Sequence, residues 1–129
     1  MKYLFVGNRK FVLEEMISKN LNLVQVLVVE NTHLHREIDS LNILYKIISN
    51  KAELIDIIQS TDFDVLVANG CKFILPVNQL KKAKYVNIHP SYLPDLRGVD
   101  PVVGSILFQR NSGATCHIMD EGIDTGKII

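Results

Sequence analysis

A chain of 129 residues is long enough for one domain and too short for two, and 47% hydrophobic residues allow a packed core. Equal numbers of basic and acidic residues, 14 of each, remove the electrostatic footprint of a nucleic-acid binder, though not a local basic patch. Cys71 and Cys116 lie outside any CxxC pair, and no apolar run reaches the length of a signal-peptide core or a membrane span, so the expectation is a cytoplasmic protein with reduced thiols, no metal and no membrane partner.

Tyr3 to Val6 is a continuous apolar run, the pattern of a strand buried on both faces, and it stops at Gly7-Asn8. Phe11, Val12, Met16 and Ile17 recur at helical spacing between Arg9 and Lys19, and Asn20 ends that helix. Leu23 to Val29 is a second strand. Glu30 to Ser40, with His33 and His35, reads as a loop or weak helix in which neither histidine needs a role. Ile43 to Ile47 is a third strand.

Ser49 can cap a helix over residues 50–59 whose core face holds Leu54, Ile55 and Ile58. Val65 to Ala68 is the next strand, closed by Asn69-Gly70. Pro76 can open a further helix, with Leu80 and Ala83 inward and Lys81, Lys82 and Lys84 outward. Tyr85 to Ile88 is a strand and Pro90 to Asp100 an ordered loop. Pro101 starts a helix to about Gln109, and residues 111–113 turn into a strand over residues 114–119. A loop over residues 120–126 and the start of another strand at residues 127–129 complete the chain. Strands alternating with helices give an α/β fold, Rossmann-like, with a mostly parallel twisted sheet and helices on both faces. Residues 1–129 form a single domain that is expected to break off at its C-terminal end.

Two stretches carry chemistry. In Val86-Asn87-Ile88-His89-Pro90, Asn87 and His89 are two residues apart on a strand and project to one face at its carboxyl end, where open α/β sheets bind ligands. The Asn87 amide can donate to a developing oxyanion, and His89 can exchange a proton near neutral pH. The second stretch, Asp120-Glu121-Gly122-Ile123-Asp124-Thr125-Gly126, offers three carboxylates on a bendable backbone; one aimed at His89 would hold its imidazolium form. Taken alone, an Asn-x-His on a strand is more often structural, and an acidic, glycine-containing loop more often a solvated turn. Phe73-Ile74-Leu75 reads on its own as plain core, and His117 as core or a neighbour of the site.

Asn87-Ile88-His89-Pro90-Ser91, Leu93-Pro94, Gly98, Gly113-Ala114-Thr115-Cys116-His117 and Asp120 to Gly126, in that order, resemble the folate-dependent formyltransferases. These include glycinamide ribonucleotide and methionyl-tRNA formyltransferases, formyltetrahydrofolate deformylase and the nucleotide-sugar N-formyltransferases. The resemblance implies a catalytic triad of Asn87, His89 and Asp124 and the cosubstrate 10-formyltetrahydrofolate. It further implies that Phe73, Ile74 and Leu75 pack on the pterin, while the backbone of Asp120, Glu121, Gly122 and Ile123 hydrogen-bonds it.

Residues 91–98 and 70–76 look most similar to the nucleotide-sugar enzymes, which implies a nucleotide-linked amino sugar as the amine. Gly7, Asn8, Arg9, Lys72 and Arg97 are then candidates for the phosphates, with Lys10 beside them, although surface cations serve equally well as solvated charges. Glycinamide ribonucleotide formyltransferase, the deformylase and an inactive folate-binding or interaction module are the alternatives. No nucleic-acid partner is expected. The oligomeric state is open, a homodimer included.

Overall fold

The computed structural model describes residues 1–89, 114–120, 122 and 125–129. The expected loop over residues 90–100, the helix at 101–109 and the turn at 111–113 lie outside them, as do Arg97, Glu121, Ile123 and Asp124.

The described residues form a six-stranded sheet of β1 (Tyr3–Gly7), β2 (Leu23–Val29), β3 (Lys46–Ile48), β4 (Val65–Asn69), β5 (Lys84–His89) and β6 (Thr115–Ile118). The strand order is β3-β2-β1-β4-β5-β6. All neighbours run parallel except β5 and β6, which pair antiparallel. The expected Rossmann-like, mostly parallel sheet is therefore what the chain forms.

Period-2 alternation sends each strand's side chains to two cores. Leu4, Val6, Leu66 and Ala68 pack with Leu54 and Ile58 of α3 (Lys51–Ser60) on one face. Phe5, Val26, Val28 and Val67 pack on the other face with Leu13 and Met16 of α1 (Phe11–Ser18) and Leu34 of α2 (His33–Glu37). Buried on both faces, the central strands are the unbroken apolar runs that parallel sheets require.

The elements depart from the expected ones at several points. On α1 it is Leu13 and Met16 that are buried, whereas Phe11 is 72% exposed. The polar stretch after β2 folds as α2 followed by a 3₁₀ turn, Ile38–Leu41, because Thr32 caps it by accepting from the His35 N–H. The third strand begins three residues later than expected, at Lys46. Asn50, not Ser49, caps α3: its side chain accepts from Glu53 N at 2.8 Å, while Glu53 reaches back to the Ser49 N–H at 3.3 Å. Ile57 rather than Ile55 adds to that helix's core face.

Pro76 opens only a 3₁₀ turn, Val77–Gln79, after which Leu80 is already extended. Lys81 does not point away from the fold: its Nζ bonds the Thr61 carbonyl and lies 4.8 Å from the Phe63 ring centroid. The final apolar run contributes a single antiparallel bridge, Ile128 to His117. No described helix is long and apolar enough to cross a membrane.

Candidate functional site

The buried residues described are apolar with three exceptions: His89, Thr115 and His117. All three lie on β5 or β6. The antiparallel register sets His89 opposite Thr115 and Asn87 opposite His117. Residues directly opposite in such a ladder share a face, so four polar side chains gather on one patch of the sheet. Asn87 and His89 also share the face of Tyr85, on the α3 side. Buried polar groups are costly unless they are partnered or used, which marks this patch as the place where the fold departs from simple core building.

One contact across the patch joins Asn87 Nδ2 to His117 Nε2 at 3.2 Å. The other ring nitrogen of His117 lies 3.1 Å from the Ile118 carbonyl oxygen. Asn69, at the end of β4, donates from Nδ2 to the Ile88 carbonyl at 3.0 Å and ties the carboxyl ends of β4 and β5 together.

Beyond β6, three described residues are bonded to one another. Asp120 Oδ1 accepts from Gly122 N at 2.9 Å and from the Thr125 hydroxyl at 2.7 Å. These two donors, the Thr125 hydroxyl first, hold the Asp120 carboxyl below its ordinary range, with a smaller contribution from His117. Asp120 therefore ties Gly122 and Thr125 together.

Of the other expected residues, Gly7, Asn8 and Arg9 lie at the carboxyl end of β1, and residues 72–75 follow β4. Gly7 ends β1 beside Asn69, and Asn8 N donates to the Asn69 carbonyl at 3.1 Å. A Cβ on Gly7 would stand 2.5 Å from that oxygen, so only glycine permits this approach. Gly70 turns the chain after β4 with φ of +71°, against the Asn8 side chain. Asn8 Oδ1 is buried and has no hydrogen-bond partner among the described residues. Arg9 is exposed, whereas Lys10 is engaged by Glu37 at 3.0 Å and Glu14 at 3.8 Å.

Leu75 belongs to the core, Phe73 packs against that core's edge, and Ile74 is half exposed. Lys72 Nζ lies 5.3 Å from the Phe73 ring centroid. Both cysteines are free, and burial pushes both thiols up, away from the thiolate form a nucleophile needs. Among the described residues no group of three metal-ligating side chains occurs.

Sequence reading undervalued Asn69, Thr115 and His117. Only Thr115 and His117 carried a signal, polar side chains at alternate positions of an otherwise apolar strand.

Residues 37–129 match the family model for formyl transferase. The methionyl-tRNA formyltransferase of Orientia tsutsugamushi (strain Boryong) is 33% identical over 148 aligned positions, which take in 100% of this chain and 48% of that protein. A 4-N formyltransferase structure from Francisella tularensis is 31% identical, with a TM-score of 0.72 over 99% of this chain and 54% of that one. The phosphoribosylglycinamide formyltransferase of Streptococcus pneumoniae TIGR4, 21% identical with a TM-score of 0.80 over 99% of this chain and 78% of that one, shares the fold. The chain thus spans about half the length of the Orientia relative.

Proposed function

The chain belongs to the formyl transferase family, and from that membership we propose that it transfers a formyl group from 10-formyltetrahydrofolate to a primary amine. The observation that carries this reading is the polar patch in which half-buried Asn87 and buried His89, Thr115 and His117 share one face toward the carboxyl end of β5, in a chain whose other described buried residues are apolar. The folate would supply the formyl group on its N10. Ile74 and Phe73, at the open edge of the core, offer an apolar surface for a pterin. Leu75 would support them from below. The loop from Asp120 to Ile123, Glu121 included, would present backbone groups to the ring, apart from the Gly122 N–H, which Asp120 engages.

Asn87 and His89 then take the roles their chemistry suits. The Asn87 amide donates to the formyl oxygen as it gains negative charge on attack by the neutral amine. His89, as imidazolium, donates to the same oxygen. Asp124 orients His89 and receives the proton that the amine must lose, and N10 of the departing folate takes up a proton when its bond to the formyl carbon breaks.

The amine we favour is that of a nucleotide-linked amino sugar, on the likeness of residues 70–76 and 91–98 to the nucleotide-sugar enzymes. Gly7, Asn8 and Arg9 at the end of β1, with Lys72 and Arg97, would meet its phosphates through cationic side chains and backbone N–H groups. Methionyl-tRNA is the second reading, favoured by the 33% identity that extends over the whole chain. Tetrahydrofolate release is to be followed with the protein, 10-formyltetrahydrofolate and, separately, a nucleotide-linked 4-amino sugar, methionyl-tRNA and glycinamide ribonucleotide. Release that depends on the amino sugar is expected. Release that depends on the tRNA favours the second reading, release with water alone marks a deformylase, and folate binding without release in any mixture contradicts an enzyme.

A further inference from the structure

Asn69, half-buried at the end of β4, has no part in the chemistry proposed above, yet it links three strand ends. Its backbone pairs with Gly7 of β1, and its carbonyl accepts from Asn8 N at 3.1 Å. Toward β5 the parallel ladder stops one residue earlier, at Ala68 opposite Asn87. Gly70, with φ of +71°, turns the chain out of the strand there. The next link is made by a side chain: Asn69 Nδ2 donates to the Ile88 carbonyl at 3.0 Å. A carbonyl oxygen only accepts, which fixes the NH2 end of the amide toward Ile88.

The Ile88 carbonyl and the His89 nitrogen belong to one rigid peptide plane. Tilting that plane turns the Cα–Cβ bond of His89 and carries the imidazole with it. β6 meets His89 from one side, through Thr115, and Asn69 meets its peptide from the β4 side. We propose that Asn69 is a positioning residue for His89: its side chain extends the β4–β5 ladder by one rung and so sets the peptide plane from which the imidazole projects. Partners of the imidazole orient the ring, whereas Asn69 orients the backbone that carries it. The inference rests on the reading of His89 as the imidazolium donor. It adds that the donor's aim depends on β4 as well as on β5 and β6.

The test combines a spectrum with kinetics. Asn69→Asp keeps the shape of the side chain and removes the donor, whereas Asn69→Ala removes both. In the whole labelled chain, the backbone ¹⁵N–¹H signal of His89 should move in either variant, because its peptide loses the donor on the carbonyl. Each substitution should lower kcat about 10-fold, with the KM for 10-formyltetrahydrofolate within about 2-fold of wild type. On a His89→Ala background, either should cost less than about 2-fold more. Wild-type kcat in Asn69→Asp, or equal losses on both backgrounds, would reduce Asn69 to a tie between strands and overturn the proposal. The spectrum is read without substrate. A chain that turns over no amine therefore defeats the formyl-transfer reading, whereas a His89 signal unmoved by both substitutions defeats the positioning role of Asn69.

Discussion

Asp120 and Asp124 sit four positions apart in one acidic loop, and their proposed duties are separate. Asp120 accepts from the Gly122 amide and the Thr125 hydroxyl, so its charge is engaged in forming the loop. Its carboxyl titrates below the ordinary value of 3.8, so this clasp is fully present above that value and is lost as pH falls through the lower, folded-state value. Exchange protection of the Gly122 amide should disappear over that acidic range, and in Asp120→Asn it should no longer follow pH there. An unchanged pH profile in the variant would contradict the assignment. For Asp124, replacement by Asn should remove most of the turnover and leave the thermal midpoint near wild type. Near-normal kcat in that variant would remove Asp124 from the mechanism.

At the scale of elements, β1, β2 and β4 were legible because each is a short, mostly apolar run between polar breaks, a pattern with few alternatives in a doubly covered sheet. The 3₁₀ turn after Pro76 was not. Val77, Leu80 and Ala83 are all drawn onto the α3 side of the core, and the Lys81 N–H is taken by Gln59 on α3, so tertiary contacts stop a helix that the proline would permit. The pairing of Asn87 with His117 was equally hidden. It joins residues 30 apart through an antiparallel register, which no local pattern specifies. Of the proposed triad, Asn87 and His89 fall on β5 as their spacing suggested, Asp124 lies outside the described residues, and the surroundings of the pair depend on which strand lies next to β5.

Two substitutions test this packing. Gly7→Ala would drive a methyl to 2.5 Å from the Asn69 carbonyl and 2.8 Å from the Phe5 ring, and should cost about 1–3 kcal/mol in denaturant unfolding. Leu54→Ala, fully buried on α3, should cost about 2–5 kcal/mol. A neutral outcome at either position would mean that the strand ends or the helix face are packed differently.

Over the whole molecule, polar residues gather toward the carboxyl edge of the parallel strands: Asn8 and Asn69 at the ends of β1 and β4, His89 at the end of β5 and Thr115 opposite it on β6, whereas the chain after β6 leaves toward the other edge, where Met119 N donates to the Tyr85 carbonyl. The other described elements are concerned with burying apolar surface on the two faces. A crystal structure of the protein with a bound 10-formylated folate analogue tests this most directly. The formyl oxygen is expected within about 3 Å of the Asn87 amide nitrogen and a ring nitrogen of His89, with the pterin against Ile74 and Phe73. A folate seated elsewhere on the sheet, or one whose formyl group points away from Asn87 and His89, would contradict it.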